Sequence, residues 1–251
     1  MCGSMYSLPY NYESTYKHEE EIREKSVLVI KSNQALQEHL DFIYESLNAI
    51  YTLSIVYECR NDDEQTIQFL GIRIFNSVIA SIKLFFSGYY QVAFMVIRDI
   101  LETGFLLDFF TIDKAEILHW KKCSSSERRK VFNPAAIRKA LDNRSGSNGG
   151  KRKEMYQMYC EYATHPTYQG TKLISLDGLV QIGPFMDEDT LGAIIHELAI
   201  QLVYAVLEFA KHFEALPGDV LMTIVEYTKK GITWIENYFK IDLSDIRASL
   251  T

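Results

Sequence analysis

Arg98 and Glu102 stand four residues apart within residues 88–110, a run that is apolar on nearly every face of a helix. A guanidinium and a carboxylate in such surroundings cost desolvation unless they meet each other and further hydrogen-bonding groups. Arg before Glu is the weaker helical order, so helix stability alone is a poor reason for the pair. Two readings stay open: a device that fixes the register of helix packing, or part of a site. In the second, Arg98 anchors a phosphate or carboxylate and a nearby base moves a proton. Tyr159, Tyr162 and His165 are spaced by three just before Pro166, so on a helix they share one edge. A histidine at a helix C-terminus is favoured as the cation. The candidate catalytic set is therefore Arg98, Glu102 and His165, with Tyr159, Tyr162 and Asp108 as ligand-binding groups. If His165 only caps a carbonyl, the pair is structural.

Familiar catalytic signatures are missing. The chain has no Walker loop, no GxSxG, no HExxH and no Rossmann glycine pattern. A di-iron bundle needs Glu-x-x-His pairs, whereas His196 and Glu197 are adjacent and Glu208 and His212 are four apart. No metal and no cofactor are expected. The four cysteines, Cys2, Cys59, Cys123 and Cys160, form no CxxC, which reads as free thiols in a reducing, cytoplasmic setting. No basic start runs into an apolar stretch, and the longest charge-free apolar stretch near the centre, residues 84–97, is short for a bilayer. No membrane partner is expected.

Charge is distributed unevenly. Eleven Lys and Arg lie between Lys121 and Lys153 against only Glu127 and Asp142, a local excess of +9; with a total of −7, the rest of the chain carries −16. Such an island fits RNA or a nucleotide, the acidic body of a second copy, or simply a solvated basic loop. Arg128, Arg129, Lys130, Arg138, Lys151, Arg152 and Lys153 are the candidate nucleic-acid contacts.

The elements that must position these groups are helices. The apolar fraction of 47% and 251 residues allow a sizeable core. Three- and four-residue apolar spacing predicts long helices over residues 32–59, 63–87, 88–110, 187–213 and 219–239, after a charged helix at 15–30 and a loose tail at 1–16. Asn133-Pro134 starts a further helix, residues 142–150 read as a flexible loop that leaves the island partly mobile, and residues 151–163 resume as helix. Asp177-Gly178 between short apolar runs predicts one β-hairpin at 172–182. The expected fold is all-α, an up-down bundle of long antiparallel helices with one small hairpin, forming a single domain over 17–251.

Gly88, Ala93, Arg98 and Glu102 on an apolar helix, then Phe132-Asn133-Pro134, then Tyr162-Ala163-Thr164-His165-Pro166, resemble a group of bacterial helical proteins of unknown function. That group is distantly similar to the HEPN (higher eukaryotes and prokaryotes nucleotide-binding) helical ribonucleases and defence toxins. The resemblance covers residues 88–166 in motifs and the remainder in helix order. It implies the fold, and the binding of RNA or a nucleotide in a defence or stress system. HEPN nucleases place a His after an Arg with four to six intervening residues, and none of the six histidines here has such an Arg. Ribonuclease chemistry therefore lacks its motif. A non-catalytic helical module, homodimeric through an apolar helix face, is the alternative, and a small-anion pocket built on Arg98 is a third.

Overall fold

In the computed structural model, which describes residues 11–147 and 150–250, eleven α-helices account for most of the chain. They are α1 (Tyr12–Ser32), α2 (Gln34–Tyr51), α3 (Asp62–Phe86), α4 (Tyr90–Phe110), α5 (Ala115–Lys122), α6 (Ser125–Val131), α7 (Pro134–Ser145), α8 (Lys151–Tyr159), α9 (Glu188–Ala210), α10 (Gly218–Phe239) and α11 (Ser244–Ala248). The only sheet among the described residues is a hairpin of β1 (Ser175–Leu176) and β2 (Leu179–Val180). This is the expected all-α bundle with a small hairpin.

Local chemistry sets the boundaries. Asn11, Asn33, Asn61, Ser124, Asn133 and Asp187 each cap a helix by accepting a backbone N–H in its first turn. Gly88 makes the turn between α3 and α4 with φ +80, and a Cβ there would stand 2.3 Å from the Phe185 carbonyl oxygen. That close approach reserves the position for glycine. The residues expected to form a loose tail are helical from Tyr12 onward, and the first ten lie outside the described residues. Likewise, α7 continues to Ser145, through the start of the stretch expected to be a loop, of which Asn148 and Gly149 lie outside the described residues. The hairpin is shorter than its apolar runs suggested, because a 3-10 turn takes Gln169–Ile174.

Cross-helix contacts fix the directions. Ser81 meets Ala93 and Ser77 meets Asp99, so α3 and α4 run antiparallel. Tyr90 meets Asp187, and Gly104 lies against Tyr204 and Ala205, so α9 runs parallel to α4. The segment from α5 to the hairpin is the crossover that carries the chain back to α4's starting end. Buried residues from α1 through α10 form one contiguous core, and Ile43, Ile74, Ile97, Ile100, Leu101 and Leu202 are among its least exposed members. By length and composition α3 and α9 could cross a bilayer, with mean hydropathy 1.6 and 1.7, and both contribute to this core.

Where α2, α9 and α10 meet, His39 stacks on His196 at 4.7 Å and its Nδ1 accepts a hydrogen bond from Trp234 Nε1 at 3.0 Å. Burial, reinforced by His196, pushes the His39 pKa down from 6.5 to about 4, against a smaller pull from Glu38. The fold therefore holds His39 neutral while the unfolded chain binds its proton, and stability falls as pH drops from 6.5 towards 4. Thermal melts across that window should show the fall, and His39→Gln should flatten it while melting lower at neutral pH. An equal acid-induced fall in the variant would assign the effect to other groups.

Candidate functional site

Two clusters grow out of α4. In the first, Arg98 Nη2 pairs with Glu102 Oε1 at 2.7 Å, one turn apart. The contact lacks the angle of a hydrogen bond, and Arg98 Nε and Glu102 Oε1 are buried without one. Arg98 Nη2 also donates to the hydroxyl of Tyr156, whose ring centre lies 4.8 Å from the guanidinium. The same ring carries the Arg138 guanidinium at 3.8 Å. Burial opposes charge on Arg98, but Glu102, Tyr156 and Cys160 outweigh it and raise its pKa further. Burial first, and then Glu102, push the Tyr156 hydroxyl up as well.

The second cluster lies at α4's C-terminal end. Asp108, 2% exposed, accepts from the Tyr204 hydroxyl at 2.7 Å and pairs with Arg144 Nη2 at 2.8 Å. Glu208, one turn beyond Tyr204 on α9, has its carboxyl pKa raised by burial and by Asp108, against the pull of Lys211. His212 Nε2 donates to the Leu107 carbonyl at 2.9 Å. Asp108 Oδ1 and Glu208 Oε2 are buried without a hydrogen bond among the described residues, so the cluster is only partly satisfied.

His165 joins neither cluster. It is exposed, its backbone N–H donates to Cys160 O at 2.9 Å, and its side chain makes no hydrogen bond, ion pair or ring contact among the described residues. Tyr159 is fully buried, stacked on Phe94 at 4.5 Å and donating to Glu197, while Tyr162 is half-buried. The three do not share an edge because a π turn, Cys160–Thr164, follows α8 and changes the angular step. Tyr156, three residues before Tyr159, is what reaches Arg98. The clue to it was the same three-residue ladder extended one step towards the N-terminus.

The basic island also divides. Arg138 is buried on Tyr156, Arg144 pairs with Asp108, Arg152 with Asp142 and Lys121 with Asp62. Arg138 and Arg152 are thus held inward, against the expectation that both would contact nucleic acid. Lys122, Arg128, Arg129, Lys130, Lys139, Lys151 and Lys153 are exposed and without an ion pair among the described residues.

A cleft of about 390 Å³ lies between α3 and α4 on one side and α5, α6 and the start of α7 on the other. Glu102 and Asp99 reach it from α4, Arg73 from α3, and Trp120, Arg128 and Phe132 from the cover. Asp99 pairs with Arg73 and accepts from Ser77 Oγ at 3.0 Å, so both carboxylates in the wall are already committed to arginines. Arg128 lies 5.7 Å from the Trp120 ring centre and donates to its carbonyl at 3.2 Å. Beside it, His119 is held between Glu116 at 2.8 Å and Glu127 at 3.0 Å, and these carboxylates, Glu127 first, raise its pKa. Comparison with family models, curated proteins and solved structures returns no match for this chain.

The Tyr156 ring is what the buried Arg138 guanidinium rests on, since Arg138 makes no hydrogen bond or ion pair among the described residues. Tyr156→Phe, which keeps the ring, should cost about 1 kcal/mol of stability for the lost hydroxyl. Tyr156→Leu should cost roughly 1–2 kcal/mol more, the worth of two desolvated cation–ring contacts. Denaturant titration of both variants measures the difference, and equal costs would remove Arg138 from the account.

Proposed function

We propose that the protein binds a nucleotide or a single-stranded RNA segment at the cleft between α4 and the α5–α7 cover. The observation that carries this reading is one cleft wall uniting the half-buried Trp120 ring, backed by the buried Phe132, with the exposed, ion-unpaired Arg128. Aromatic faces accept a base by stacking and cations accept its phosphates, a combination that serves single strands with little regard to sequence. Arg129, Lys130 and Lys122 extend the positive surface next to that cleft along α5 and α6. The commitment of Asp99 and Glu102 to arginines favours binding over acid–base chemistry, and the absent HEPN motif points the same way.

Affinity for a labelled single-stranded RNA should fall linearly with log salt concentration, with a slope of about −0.7 per phosphate contacted. Replacing Arg128, Arg129 and Lys130 together by Ala should flatten the slope by about two, while Trp120→Ala should weaken binding without changing it. An affinity insensitive to salt and to both changes would end this reading.

A second reading concerns a homodimer. Tyr51, Ile55, Ile72 and Phe75 line an apolar groove of about 230 Å³, and Phe69, 60% exposed, and Ile79 continue the same face of α3. An apolar stripe of this kind supports a helix-to-helix contact with a second copy. Sedimentation over a range of concentrations should show a dimer that Phe69→Glu with Ile55→Glu dissociates; a monomer at every concentration would remove the dimer.

A further inference from the structure

A second cleft, of about 480 Å³, opens on the other flank of the central helices, between α9, the N-terminal half of α4, and the segment that follows α8. Its floor is one stripe of α9. Asp189, Ala193 and Glu197 recur every fourth residue and so lie on one face, with the two carboxylates about 12 Å apart along the axis at 1.5 Å per residue. Ala193 between them leaves the floor open. Phe94, Met158, Tyr162 and Leu173 form the apolar walls.

Charge in this cleft is of one sign, since no Lys or Arg is among its lining residues. The Asp189 side chain is exposed and makes no hydrogen bond or ion pair among the described residues. Glu197 takes both of its protein donors, the Tyr159 hydroxyl and Gln201 Nε2 at 2.8 Å, on Oε1. Oε2 accepts none among the described residues, so the carboxylate is oriented by its protein partners yet keeps one oxygen for a ligand. Lys172 Nζ lies 5.8 Å from the Tyr162 ring centre, so one cation of the chain already stands beside this wall.

We propose that this cleft binds a linear aliphatic polyamine, with its ammonium groups on Asp189 and Glu197 and its methylene chain against Phe94, Met158 and Leu173. The chemistry is matched at each point. Two separated anions select a ligand charged at two separated places, and the apolar walls between them favour a hydrocarbon spacer. An inorganic divalent cation satisfies neither condition, because the carboxylates are too far apart to share one ion. The site is on α9 and the far flank of α4, and does not depend on the nucleotide cleft.

Calorimetric titration of the full chain with spermidine tests the proposal. Saturable binding of one equivalent is expected, with little heat from 1,8-octanediol as a neutral probe of similar length. Asp189→Asn and Glu197→Gln should each weaken spermidine about tenfold or more, the loss of one charged hydrogen bond. Ala193→Leu should abolish binding by filling the floor, and Lys172→Ala should tighten it by removing a competing cation. Asp189 and Ala193 are exposed, so their variants decide the matter even if Glu197→Gln disturbs Tyr159. No saturable binding, equal affinity in Asp189→Asn and Ala193→Leu, or a diol that binds as tightly as spermidine would each overturn the proposal.

Discussion

A helix buried on most of its surface must still satisfy every charge it carries, and α4 carries four. Arg98, Asp99 and Glu102 are only partly open to water and Asp108 is closed to it, and each takes a particular partner. Asp99 takes Arg73 from α3, Arg98 takes Glu102 and then Tyr156 from α8, and Asp108 takes Tyr204 from α9 and Arg144 from α7. The layer formed by α5 to α8 is therefore not a passive cover. Its position is set by what the central helix demands of it.

Such pairs add little net stability, because desolvation offsets most of the attraction. Their effect is on placement, since a wrong register would strand a buried charge at a cost of several kcal/mol. Arg138 extends this logic one step outward. It rests on the ring of Tyr156, whose hydroxyl accepts from Arg98, so two guanidiniums share one aromatic side chain. Removing the ring disturbs both at once.

The two clefts beside α4 differ in charge and so in what they suit, the first balancing Arg73 and Arg128 against Asp99 and Glu102 and the second lined by carboxylates alone. One joins aromatic rings to Arg128 under the basic helices, and the other joins apolar walls to Asp189 and Glu197 on α9. The difference follows the chain's charge pattern, because the basic excess is confined to residues 121–153, which contribute to the lining of the first cleft and not to that of the second. Arg128 in the first cleft and Asp189 in the second have no ion pair among the described residues, which leaves each free to meet a ligand.

The sequence by itself determined the helices, the hairpin turn at Asp177-Gly178, the helix start at Asn133-Pro134, and the pairing of Arg98 with Glu102. All of these are written in local spacing or in residue types whose preferences act over a few positions. Only the tertiary structure decided which groups meet Arg98. A π turn after Tyr159 rotates His165 out to solvent and leaves Tyr156 facing inward, and no three-residue ladder announces such a turn. Only the tertiary structure divided the basic island as well, burying Arg138 and pairing Arg144 and Arg152, because burial and ion pairing depend on elements far apart in the chain. The parallel course of α9 beside α4 belongs to the same class, set by the length of the crossover between them and by the Tyr204 hydroxyl that Asp108 requires.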